Sequence, residues 1–268
     1  MYNLDTLQIS STHPCLIIYL LDQSASMAGN FGYDTSKAVK LAESVNEIIF
    51  ETGLKCYSSG GELKNRFELS IIGYGAEAGL VEPGWEGNLR DHWVVSIGEV
   101  FQNAIGEQND VPIWIRPKAG MDTPMTKAFE NAHRICEAWI NWGNHKDCHP
   151  PIIINISDGV PTDSENNDSK LVNTVNNLKK LGTNYGNVNI FNIHISSGGG
   201  DSILFPTHLA NSNIHANLLF EISTNLTDKM VAIAKNKNYH TQIGSKGYIY
   251  NGTARNLMDF LQISSDPV

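Results

Sequence analysis

Short apolar runs alternate along this chain with segments whose apolar positions follow a helical period. Leu16–Leu21 is continuous Leu, Ile and Tyr, as suits a central strand covered on both faces, and it ends at Asp22. From Asp34 the apolar positions Ala38, Leu41, Ala42, Val45, Ile48 and Ile49 mark an amphipathic helix, capped by Asp34 or Thr35 and with Gly53 beyond its end. Phe67–Tyr74 predicts a second strand, and Gly79–Val81 a short edge strand after it. Pro124 suits the first position of a helix capped by Thr123, with Met125, Ala128, Phe129, Ala132, Ile135, Cys136 and Trp139 on one face.

Pro151–Ile156 is another buried strand, followed by a helix carrying Leu171, Val172, Val175, Leu178 and Leu181 and stopped by Gly182. Val188–Ile195 predicts a strand and Ser196–Ser202 a Gly-rich loop. Leu218–Ile222 reads as a strand, Leu226–Ala234 as a helix, Gly247–Tyr250 as a strand, and Thr253 or Ala254 to Leu261 as a closing helix. Glu82–Gly120 is less regular, with Trp85, Trp93 and Trp114 among Gly, Pro and Asn; a strand at Trp93–Ile97 and a helix around Val100–Ile105 are its predicted elements. The alternation predicts an α/β fold, a doubly wound and mostly parallel central sheet with helices on both faces. With no linker-like stretch, one domain spans 1–268, its core about 15–261.

Composition narrows the function. A hydrophobic fraction of 41% and a charged fraction of 18% suit a packed core. Net charge is −9 and no Lys/Arg run forms a stripe, which argues against a nucleic-acid partner. Cys15–Leu21 is too short for a signal core or a membrane span, and no Lys or Arg precedes it, so a cytoplasmic location without membrane attachment is expected. The four cysteines are scattered rather than arranged as a small disulfide framework, and reduced thiols follow.

Three polar clusters fall where strands end or helices begin: Asp22-x-Ser24-x-Ser26, Gly120-x-x-Thr123-Pro124 and Ser157-Asp158-Gly159. In an open parallel sheet, ligands bind at the carboxyl ends of the strands. Two carboxylates and three hydroxyls are hard oxygen donors, suited to Mg²⁺ or Mn²⁺, with Ca²⁺ also admissible, rather than to zinc or copper. Neutral hydroxyls leave a bound cation electrophilic, so an Asp or Glu from a partner protein could complete its shell.

The same residues resemble the metal-ion-dependent adhesion site of the von Willebrand factor A family: Asp-x-Ser-x-Ser, a distant Thr, then Asp-Gly after a buried strand. The resemblance runs from about Cys15 to at least Ile195. It implies that Ser24, Ser26 and Thr123 ligate the metal directly and that Asp22 and Asp158 often act through water. It also implies a protein-interaction module rather than an enzyme, similar to intracellular bacterial relatives that serve as adaptors alongside an ATPase, kinase or phosphatase. Glu82–Gly120 and Ser196–Asn217 match no known recognition surface of that family.

Other readings compete for some of these residues. Asp22 with Ser157-Asp158-x-x-x-x-Asp163 resembles the haloacid-dehalogenase phosphatases, in which Asp22 would be a nucleophile and Mg²⁺ a cofactor. That chemistry usually needs an acid two positions on, where this chain has Ser24. Asp163 is then a polar loop residue. His133-x-x-Cys136 and His145-x-x-Cys148 supply zinc-type donors, but fit no established finger spacing, and Cys136 belongs to an apolar helix face. Gly198-Gly199-Gly200 lacks the Lys-Ser/Thr of a phosphate loop.

Overall fold

The computed structural model describes residues 7, 9–31, 34–164, 168–195, 201–209, 213–252, 256 and 259. Its first strand, β1 (Cys15–Asp22), leads through α1 (Lys37–Leu54) to β2 (Phe67–Tyr74), β3 (Val81–Pro83), β4 (Val95–Ser96) and α2 (Ile97–Gln102). The hairpin β5 (Gly106–Gln108) and β6 (Val111–Ile113) follows, then α3 (Met125–Asn141), β7 (Ile152–Ser157), α4 (Ser169–Leu178) and the short pair β8 (Gly182–Thr183) and β9 (Gly186–Asn187). β10 (Asn189–His194), β11 (Ile203–Leu204), α5 (Ile214–Ile222), α6 (Asp228–Asn236) and β12 (Tyr248–Tyr250) complete the described elements.

The main sheet runs β11-β12-β10-β7-β1-β2-β3, with β4 also on β2. Its five middle strands are parallel, and β3, β4 and β11 pair antiparallel at the margins. β1 is buried throughout, and its side chains alternate between two cores. Ile17, Tyr19 and Leu21 pack with α1, α2 and α6 on one face; Leu16, Ile18 and Leu20 pack with α3, α4 and α5 on the other. The fold is therefore the predicted α/β arrangement with both faces covered.

Three predicted elements differ. Leu218–Ile222 belongs to α5: a short apolar run does not distinguish strand from buried helix, and Asn213, whose side chain accepts from the amides of His215 and Ala216, starts a helix there. The first helix is capped by Ser36 and continues through Gly53 to Leu54. Glycine at 53 lets the Phe101 ring pack directly on the helix backbone, where an added Cβ would collide with it. The irregular stretch contains the β5–β6 hairpin, which the weak periodicity concealed. Trp85 and Trp114 are core residues there, the Trp114 indole donating to Val100 O at 2.6 Å. Residues 196–200 and most of the closing helix lie outside the described residues.

Beneath the carboxyl edge, polar side chains form a buried chain across the sheet. Tyr74 Oη donates to Asn155 Oδ1 at 2.8 Å, Asn155 Nδ2 to Asn192 Oδ1 at 2.9 Å, and Asn192 Nδ2 to Ser223 Oγ at 2.9 Å. Each buried amide is satisfied, which ties β2, β7, β10 and the end of α5 into one register.

Candidate metal centre

From β1 the chain crosses by α1 to β2 on one side, whereas β7 lies on the other side of β1. That reversal opens the crevice in which α/β sheets hold ligands. Asp22 ends β1, and Ser157 and Asp158 lie at the end of β7 directly beside it.

Asp22 is completely buried. Its Oδ1 accepts from the Ser24 amide at 2.9 Å, and its Oδ2 accepts from Ser157 Oγ at 2.6 Å. The first bond folds the chain back after the strand and leaves Ser24 Oγ 3.0 Å from Ser26 Oγ. Ser26 Oγ donates to Asp158 Oδ1 at 2.6 Å, while Asp158 Oδ2 accepts from Nζ of Lys37. Burial pushes the Asp22 carboxyl up to about 6; hydrogen bonds from Ser157 and Ser24 oppose the rise, and the charge of Asp158 adds to it.

Thr123 arrives from a separate segment held by backbone contacts. Gly120 N donates to Gln23 O at 2.7 Å, Met121 N to Gly75 O at 2.7 Å, and Ala25 N to Met121 O at 3.0 Å. The approach depends on Gly75, at φ +92°, where an added Cβ would lie 2.1 Å from Asp122 O. Gly159 is similarly placed: a Cβ there would be 3.2 Å from both Asp22 Oδ2 and Thr123 Oγ1. Its bare backbone thus lets the three predicted clusters meet, bringing Asp22, Ser24, Ser26, Thr123 and Asp158 into one crevice.

Thr123 does not cap α3 as expected. Pro124 sits just before the helix, and the Thr126 and Lys127 amides donate to Asp163 Oδ1 and Oδ2, each at 2.9 Å. Asp163 is therefore a cap supplied from the β7 loop, and the Thr123 hydroxyl is not committed to that task. Lys37 was also missed, because it looks like an ordinary polar residue at a helix start. His194, at the carboxyl end of β10, stacks on Tyr250 with ring centroids 4.9 Å apart, and its buried Nδ1 has no hydrogen-bond partner. Burial lowers the His194 pKa to about 4 against the charge of Asp158, with Lys37 and His215 adding to the fall.

Among the described residues, no cluster of three or more His, Cys, Asp or Glu could hold a metal. The crevice instead combines two carboxylates with hydroxyls, a hard-oxygen set that fits Mg²⁺ or Mn²⁺. Of the zinc-type donors, Cys136 and Cys148 are buried free thiols, and the His145 ring stacks on Trp139 with centroids 4.1 Å apart.

No family model matches the chain, and a search of curated proteins finds no relative. Among solved structures, the pilus adhesin SpaC from Lactobacillus rhamnosus GG matches 95% of this chain and 30% of its own, with 13% identity and a TM-score of 0.53. The fold is von Willebrand factor A-like. The manganese-loaded Plasmodium vivax TRAP protein matches 94% of this chain and 73% of its own, at 13% identity and TM-score 0.46. This chain thus spans under a third of SpaC. In this von Willebrand factor A-like sheet, the crevice lies beside β1 at the carboxyl edge.

Proposed function

We propose that the chain is a protein-interaction module, not an enzyme, that holds Mg²⁺ or Mn²⁺ with Asp22, Ser24, Ser26, Thr123 and Asp158 and captures an Asp or Glu of a partner protein. The observation that carries this reading is the convergence of three distant hydroxyl and carboxylate clusters at the switch point of the sheet. Met121 and Val160, 60% and 48% exposed, lie on the loops that supply Thr123 and Asp158, and offer apolar contact around a charged centre. The cation would supply an electrophile for the partner's carboxylate; the hydroxyls leave its charge largely unneutralised.

The phosphohydrolase alternative fits the residues less well. Position 24, where that chemistry needs an acid, is a serine, and Asp163 caps α3 rather than facing the crevice. One domain over 1–268 is supported by β10, β11 and β12 extending the sheet that contains β1. Among the described residues no helix is long and apolar enough to cross a membrane. The four cysteines are free and buried, in keeping with the inferred cytoplasmic adaptor, with an ATPase, kinase or phosphatase as the class of partner.

Affinity capture in Mg²⁺ and in EDTA, with wild type, Ser24→Ala and Asp22→Ala, tests the reading. Proteins retained by wild type in Mg²⁺ should be lost in EDTA and with both variants. Retention of the same proteins in EDTA would contradict it.

A further inference from the structure

Both oxygens of Asp158 are occupied: Ser26 Oγ donates to Oδ1 at 2.6 Å, and the Lys37 ammonium donates to Oδ2. Lys37 is the first residue of α1, and its side chain is only 8% exposed. Its amide is held by Gly29 O at 2.9 Å, and its Cε and Nζ run past Gly29, where an added Cβ would lie 3.7 Å from each. An ammonium buried this far is costly unless paired, so its position on Asp158 is specific. Ser24, Ser26, Asp158 and Lys37 form one continuous hydrogen-bonded chain, which places a positive charge at the end of the proposed donor set.

Two carboxylates and one ammonium leave the crevice with one negative charge when Asp22 and Asp158 are ionised; a divalent cation would turn it into one positive charge. We propose that Lys37 is a tethered cation that competes with the divalent ion for Asp158 and holds down the cation affinity of the crevice. This rests on the reading of the crevice as a cation site and adds a regulatory element to it. An entering cation must displace the ammonium from Asp158 and meets its repulsion in the crevice. An anionic partner offsets that repulsion, so cation and partner bind more tightly together than apart.

Mn²⁺ binding to the full chain, followed by isothermal titration calorimetry and by the electron paramagnetic resonance of free Mn²⁺, provides the test. Lys37→Gln should bind Mn²⁺ at least about tenfold more tightly than wild type, and Lys37→Arg, which keeps the charge, should stay close to wild type. Without cation Lys37→Gln should melt at a lower temperature than wild type, and Mn²⁺ should raise its Tm by more. Equal affinity of wild type and Lys37→Gln would overturn the role of Lys37 and leave the cation site standing. Absence of Mn²⁺ binding in all three proteins would overturn the cation reading itself.

A measurement on wild type guards against a variant that fails to fold. The side-chain ¹⁵N resonance of Lys37, slowed in hydrogen exchange by its bond to Asp158, should lose that protection at Mg²⁺ saturation. Retained protection with Mg²⁺ demonstrably bound would overturn the competition.

Discussion

β1 is buried from Cys15 to Asp22, and its two ends meet that burial in opposite ways. At the amino end, Cys15 Sγ lies 3.5 Å from His149 Nδ1, which is 2.7 Å from Pro150 O. Burial pushes the Cys15 thiol above its ordinary range and lowers His149 to about 4, so both groups are neutral near pH 7. At the carboxyl end Asp158 keeps an ammonium on one oxygen and a hydroxyl on the other, and Asp22 keeps two hydrogen bonds. The buried groups at one end are thus neutral, whereas those at the other have specific ionic and hydrogen-bond partners, even though burial raises the Asp22 carboxyl to about 6. Carboxyl and hydroxyl oxygens gathered in a crevice open at Ser26 are what a ligand can use.

Removing a partner at each end breaks the comparison most severely. Asp158→Ala leaves the Lys37 ammonium buried and alone and should destabilise the cation-free protein by about 3–5 kcal/mol in urea unfolding. Cys15→Ala removes a neutral group and should cost about 1 kcal/mol. Equal costs would mean that the ion pair contributes nothing special.

The amino end carries its own pH signature. His149 is lowered from 6.5 to about 4 by burial, with the charge of Lys229 adding to the fall and the bond to Pro150 O opposing it. The unfolded chain therefore takes up this proton before the folded one. The stabilising contribution is complete above pH 6.5 and is lost as pH falls from 6.5 to about 4. It amounts to roughly 3 kcal/mol, and His149→Gln should remove that part of the pH dependence of urea unfolding. An unchanged slope would mean that His149 is charged in the folded state.

Smaller changes sharpen the carboxyl end. Gly75→Ala forces a Cβ against Asp122 O at positive φ and should cost about 2 kcal/mol, weakening Mn²⁺ binding by displacing Thr123. Asp163→Ala should cost about 1 kcal/mol through the lost α3 cap. It should leave Mn²⁺ affinity nearly unchanged in calorimetry, because Asp163 serves the helix rather than the crevice.

Much of this was legible in the residues because polar clusters interrupt apolar runs. Asp22, Thr123 and Asp158 stand beside long hydrophobic segments, and parallel strands bring their carboxyl ends to one edge. Lys37 and Asp163 were not legible, since each acts through a partner more than thirty residues away and resembles a solvated polar residue in its local pattern. Asn155, a polar residue inside the apolar run Pro151–Ile156, likewise finds its partners, Tyr74 and Asn192, on neighbouring strands. The α5 region was misread because Leu218–Ile222 has no distinguishing period over its short length.

The central claim is that Ser24 and its neighbours form a cation site, and calorimetric titration of Mn²⁺ into wild type and Ser24→Ala tests it most directly. The account predicts one Mn²⁺ per chain for wild type and at least about tenfold weaker binding for Ser24→Ala, whose lost hydrogen bond to Ser26 should cost only about 1 kcal/mol of stability. Identical Mn²⁺ binding by the two proteins, or none by wild type, would contradict it.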